Sequence, residues 1–137
     1  LASQIQAKGG WAEADKVDAL NETEIDLYLQ KVIAVNHKLD IVFNGIGSYY
    51  QDAGSGRPMT LATLQRICGS QFLTSRVAAR HMIQLESQGT LLLFNASMAR
   101  TKTPNMAGFA AACAAIEGLT RVLAAELQPA LRISPHD

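Results

Sequence analysis

The sequence has no excess of charge of either sign. Twelve basic and twelve acidic residues among 137 leave a formal net charge of zero. No Lys/Arg cluster supplies the field that nucleic acid or an anionic membrane surface would answer to. Cysteine is confined to Cys68 and Cys113. Both sit in apolar helical patterns and read as buried thiols rather than a disulfide, which fits a reducing, cytoplasmic setting. His37, His81 and His136 are scattered and share no metal-ligand spacing with the cysteines, so no metal site is expected. The apolar run Leu91 to Phe94 is far below membrane-spanning length. The N-terminus shows no signal-peptide pattern and begins at Leu1 rather than Met.

What is present suits one globular core. The chain is 48% hydrophobic and too short for two ordinary domains, so residues 1–137 are read as part of a single domain. Gly9-Gly10 stops a short first helix carrying Leu1 and Ile5. Trp11 to Asp18 alternates apolar and polar residues and predicts a strand. Asn21 with Glu24 forms a capping-box-like start, and Ile25, Tyr28, Leu29, Val32 and Ile33 make one apolar face of a helix over 22–35. Asp40 to Asn44 and Thr90 to Phe94 are short apolar runs, as expected of strands buried on both faces. Between them a loop over 45–58 precedes a long helix to about Glu86, with Gly69 a weak point inside it. A last helix spans about Gly108 to Leu127, and the tail from Gln128 begins like a further strand. Strands alternating with helices predict an α/β fold with a parallel sheet.

The segment Phe109-Ala-Ala-Ala-Cys-Ala-Ala-Ile-Glu-Gly-Leu-Thr-Arg-Val-Leu-Ala-Ala-Glu-Leu127 resembles the active-site helix of the short-chain dehydrogenase/reductase family. Further segments resemble that family in its own order. Val17-Asp18-Ala19-Leu20 is similar to the strand end that borders the adenine ring. Asp40-Ile-Val-Phe-Asn-Gly-Ile-Gly47 is similar to the motif whose backbone lies along the cofactor. Phe72 to Met82 resembles the long central helix, and Gly89 to Ser97 the strand leading to the catalytic Ser. The resemblance implies a Rossmann-like, doubly wound parallel sheet with flanking helices. It implies NAD or NADP as cofactor, with Asp18, Asn44, Gly45 and Gly47 beside it, and a small-molecule carbonyl or alcohol substrate. It also implies a homodimer or homotetramer through the helices at 60–86 and 108–127, where Ala110, Ala111, Ala114, Ala115 and Gly118 offer a small-residue face.

The chain departs from the family in three respects. It has no Gly-x-x-x-Gly-x-Gly turn, the element that lets backbone N–H groups approach the pyrophosphate. Strands one and two, which in the order 3-2-1-4-5-6 lie between the strands at Trp11 and Asp40, are missing, so the sequence is expected to be an incomplete piece of a family-sized protein. The catalytic set is eroded too. Phe109 replaces the Tyr that moves a proton, Cys113 replaces the Lys that lowers its pKa, and Ile67 falls where the family has its helix Asn. Ser97 is either the family's Ser or the neighbour of that position, which here is Met98; it reads as a catalyst or as a satisfied strand-end hydroxyl. Asp18 similarly reads as a ribose or adenine neighbour or as a cap of the next helix. Phe109 and Cys113 read as packing residues on a stripe with Ile116, Leu123 and Leu127. A serine hydrolase is not expected, because Ser97 lacks the flanking glycines of the nucleophile elbow. Two readings stand: an oxidoreductase whose chemistry comes from outside the usual set, or an inactive member that binds a dinucleotide or a protein partner.

Overall fold

A computed structural model describes residues 1–46, 61–100, 102, 104, 106–127 and 132–136. After a short helix α1 (Ala2–Gln6), the chain runs without regular structure to Asn21, which starts α2 (Glu22–Asn36). The side-chain oxygen of Asn21 accepts the N–H groups of Thr23 and Glu24 at 3.1 and 3.3 Å. Glu24 answers by accepting from Asn21 Nδ2 at 3.1 Å and from the Asp18 N–H at 2.9 Å. Donors that a helix start leaves orphaned are thereby paired, as the capping signal anticipates. Ile25 and Leu29 are buried on the inner face of α2.

Residues 11–18 do not form the expected strand. A strand is stable only in a ladder, and among the described residues none lies beside this segment. Its alternating acids serve the helix instead: Glu13 and Asp15 reach Lys31 Nζ of α2 at 3.8 and 2.7 Å, while Trp11 is left 65% exposed.

The sheet has three parallel strands in the order β1 (Ile41–Asn44), β2 (Thr90–Phe94), β3 (Arg132–His136). Asn44 pairs with Leu93, and Leu93 with Pro135, so the three C-terminal ends form one edge. The tail strand is therefore present, and Pro135 is tolerated because β3 is an outer strand. α3 (Leu61–Gln84) links β1 to β2 and α4 (Ala107–Leu127) links β2 to β3. α3 packs between α2 and α4, making a single helical layer on the sheet. Gly69 does not interrupt α3; it admits Leu20, whose Cδ2 would lie 3.1 Å from an added Cβ.

Burial along the strands alternates, contrary to the expectation of two covered faces. Leu91 and Leu93 are sealed beneath the helices, whereas Ile41, Phe43 and Phe94 are exposed on the other side. An apolar run states what a strand can bury, and among the described residues only one face has a cover. The core comprises Ile25, Leu29, Leu39, Ile67, Val77, Ala78, Met82, Leu91, Leu93 and Ile116, with Phe109 and Leu127 packed at its margin. α4 is long and apolar enough to cross a membrane by length and composition. It packs here as a core helix, burying Ala112, Cys113, Ile116 and Thr120.

Candidate cofactor and active site

Parallel pairing brings the ends of β1 and β2 side by side, so Asn44-Gly45 and Asn95-Ala96-Ser97 occupy one edge of the sheet. In open parallel sheets this carboxyl edge is where ligands bind. Asn44 is buried; its Nδ2 donates to the Gln71 carbonyl at 3.3 Å, and its Oδ1 has no hydrogen-bond partner among the described residues. A Cβ on Gly45 would lie 2.7 Å from Phe43 Cε1, so a side chain there would have to displace that ring. Ser97 is exposed and opens a 3-10 helix (Ser97–Arg100) that packs on α4. Gly47, the remaining expected cofactor neighbour, lies outside the described residues.

Asp18 precedes α2. Its Oδ1 accepts the Leu20 N–H at 2.9 Å in a local turn, while the helix itself is capped by Asn21. The carboxylate is exposed and retains acceptor capacity on its second oxygen. Of the five expected site residues, the structure thus brings Asn44, Gly45 and Ser97 to one edge and leaves Asp18 tied to the helix cap.

The residues that the resemblance sets against the family's other catalytic groups are packed in the interior or at its margin. Ile67 and Cys113 are 4% and 2% exposed, and Phe109 rests against the core. The Cys113 carbonyl accepts from Asn95 Nδ2 at 3.1 Å, fixing α4 to the end of β2. Cys68, across the α3–α4 contact, has its thiol pKa raised, first by burial and then by the neighbouring Cys113. The two cysteines are not joined in a disulfide.

Two further cavities are lined wholly by described residues. An apolar cleft of about 160 Å³ between α3 and α4 is lined by Cys68, Phe72, Ala115, Ile116 and Leu119. A wider groove of about 380 Å³ runs between residues 15–17 and α2, past Leu27, Tyr28 and Lys31. The Asp15 carboxylate hydrogen-bonded to Lys31 raises that lysine's pKa. No cluster of three potential metal ligands occurs among the described residues.

α2 and α3 are joined by an ionic clamp. Asp26 Oδ1 accepts from Arg80 Nη2 at 2.7 Å and from His81 Nε2 at 2.8 Å. These bonds, with Arg80 the larger cause, lower the Asp26 pKa below its ordinary 3.8. A depressed carboxylate stabilises the fold above its unfolded pKa, and that contribution is lost as pH falls through the folded one. Asp26→Asn is therefore expected to lower stability at pH 7, with a loss that shrinks steadily as pH falls below 3.8, which urea unfolding across that acid range would show.

One buried polar residue was not marked by sequence reasoning. Gln71 is fully buried in α3, and its Nε2 faces the carbonyls of Asn44, Ile46 and Phe94 at 3.2, 3.1 and 3.3 Å. The available signal was its place on the apolar stripe of Ile67, Ala78 and Met82, where a glutamine is out of character.

With this geometry in hand, the relatives are informative. A family model described as Enoyl-(Acyl carrier protein) reductase matches residues 1–133. The chain belongs to the short-chain dehydrogenase/reductase family. The uncharacterized oxidoreductase YohF of Escherichia coli (strain K12) is 27% identical over 130 residues, covering 92% of this chain and 51% of that protein. A 7α-hydroxysteroid dehydrogenase complexed with NADH and 7-oxo glycochenodeoxycholic acid superposes with a TM-score of 0.82 at 28% identity, over 98% of this chain and 53% of the other. A short-chain dehydrogenase from Mycobacterium smegmatis, with a TM-score of 0.84 at 22% identity, shares the fold over 98% of this chain and 57% of its own. The chain thus spans about half the length of the relatives it matches.

Proposed function

We propose that this chain is the part of a nicotinamide-dinucleotide-dependent oxidoreductase that carries the carboxyl edge of the sheet, and that the whole protein acts on a small carbonyl or alcohol substrate. The observation that carries this reading is the joint placement of Asn44, Gly45 and Ser97 at that edge, in a chain of this family. The orphaned, buried Oδ1 of Asn44 is a polar group suited to a ligand donor, and Gly45 keeps the adjoining backbone bare. Asn44 and Gly45 would lie along the cofactor, with Gly47 following, and Ser97 would polarise the substrate oxygen. Asp18 would meet the adenine end. When bound, the dinucleotide would supply a hydride to a carbonyl in its reduced form or accept one from an alcohol in its oxidised form. No phosphate-cradling glycine turn occurs in the sequence, so the pyrophosphate would be held from elsewhere in the protein.

The burial of Cys113 and the packing of Phe109 favour a second reading, a member that binds the dinucleotide without the usual proton relay and is inactive. Titration of the whole protein with NADH and with NADPH, followed by nicotinamide fluorescence, tests both. A saturable change with either supports dinucleotide binding, and no change with either overturns it. Saturable binding with no oxidation of NADH or NADPH across a panel of aldehydes and ketones selects the inactive member.

The same reading includes a homo-oligomer. Ala111, Ala114 and Ala115 are exposed on α4, Phe72 is 46% exposed at the apolar cleft, and Val122 of α4 is 53% exposed. Light scattering at micromolar concentration is expected to give at least twice the monomer mass, and Phe72→Glu to reduce it to one. A monomeric mass for the unsubstituted protein contradicts this.

A further inference from the structure

We infer that Gln71 is a positioning residue: a buried amide that ties the ends of β1 and β2 together and fixes the Asn44-Gly45-Ile46 backbone on which the cofactor would lie. The inference rests on the dinucleotide reading above. Parallel strands that end together leave their last carbonyls beyond the ladder, and a buried carbonyl without a donor is unfavourable. Asn44 and Phe94 are the final residues of β1 and β2, and Ile46 lies two residues into the loop that follows. Gln71 Nε2 reaches all three carbonyls within 3.3 Å. Its two hydrogens are shared among three acceptors, so the amide sits as a hub rather than as a single bond. Asn44 closes the ring by donating its Nδ2 to the Gln71 carbonyl at 3.3 Å, which locks strand end to helix from both directions.

The location is specific to this chain's altered site. Ile67 is buried where the family's helix carries a polar group, and Gln71 stands four residues later on the same face of α3. The polar contact from helix to sheet edge is made one turn along. Gln71 Oε1 and Asn44 Oδ1 are both buried without a partner among the described residues, so the hub retains acceptor capacity. Among the described residues the side-chain hydrogen bonds of Gln71 go to backbone carbonyls, and its action on a ligand would pass through the 44–46 segment.

Amide hydrogen exchange of the whole protein, with Gln71→Met beside the unsubstituted form, tests this. Met keeps the volume and removes the donors. Exchange within 42–46 should accelerate at least tenfold while α2 amides keep their rates, and the Kd for whichever of NADH or NADPH binds should rise at least tenfold. Unchanged exchange within 42–46, or equal acceleration in α2, overturns the tether. An unchanged Kd despite local acceleration overturns the positioning role. If Gln71→Met does not fold, Gln71→Asn, which shortens the reach by one methylene, is expected to show the same local pattern in reduced degree, and a uniform pattern overturns the tether. Unsubstituted protein that binds neither dinucleotide overturns the functional reading, while the exchange result still upholds or overturns the tether itself.

Discussion

Cys113→Lys, which introduces the lysine that the family resemblance implies at this position, is expected to destabilise the protein by about 3–5 kcal/mol at neutral pH. The reason is the site it would enter. Cys113 is 2% exposed, flanked on its own helix by Ala112 and Ile116, both buried, and its carbonyl is already fixed by Asn95. An ammonium there loses its hydration, so its folded pKa would fall well below that of a free lysine. The linkage has a definite sign: the unfolded state binds the proton and the folded state resists it. The deficit is largest below the depressed folded pKa and shrinks by about 1.4 kcal/mol per pH unit on the way up to the free lysine value near 10.4. Cys113→Ala should lose only about 1 kcal/mol, with no such pH dependence. Urea unfolding of both variants at pH 7 and pH 9.5 would measure this. Equal, pH-independent losses would mean that the pocket accepts a charge, and that the site retains more of the family's electrostatics than its burial indicates.

Met82→Ala should be comparably damaging for a different reason. Met82 has no exposed surface, and its sulfur occupies the space over Gly89, where an added Cβ would lie 2.5 Å from it. Truncation removes buried contacts between α3 and the start of β2 and leaves a cavity that Gly89 cannot fill. A loss of about 3 kcal/mol follows from comparable truncations of large apolar side chains. The neighbouring Ile83 is 49% exposed, so Ile83→Ala should stay within about 1 kcal/mol. Thermal unfolding of the pair isolates burial from helix propensity, since both residues sit in the same turn of α3. Similar losses for the two would contradict the assigned core.

The elements that were legible in the sequence are those whose signals are local. Asn21 and Glu24 specify the start of α2 with their own side chains, and the stripe through Phe109, Cys113 and Ile116 specifies the inward face of α4. The tail strand was legible because β2 supplies its partner within the same chain. Trp11 to Asp18 misled because alternation resembles a strand whether its polar side faces a ladder or an ion pair, and Lys31 provides the ion pairs. Ile41 and Phe43 misled because side-chain hydrophobicity does not say what lies opposite. The carboxyl edge was found through Asn44, Gly45 and Ser97, but Gln71 was not. A single buried glutamine has meaning only once three carbonyls from distant parts of the chain converge on it.

The central claim is that a nicotinamide dinucleotide lies across the carboxyl ends of β1 and β2 while the first turns of α4 serve as packing. Hydrogen exchange of the whole protein with and without saturating NADH or NADPH tests it most directly. Slower exchange within 43–46 and 94–97 on adding the dinucleotide is the predicted result. Absence of any protection, or protection confined to α2 and the groove at residues 15–17, would contradict it.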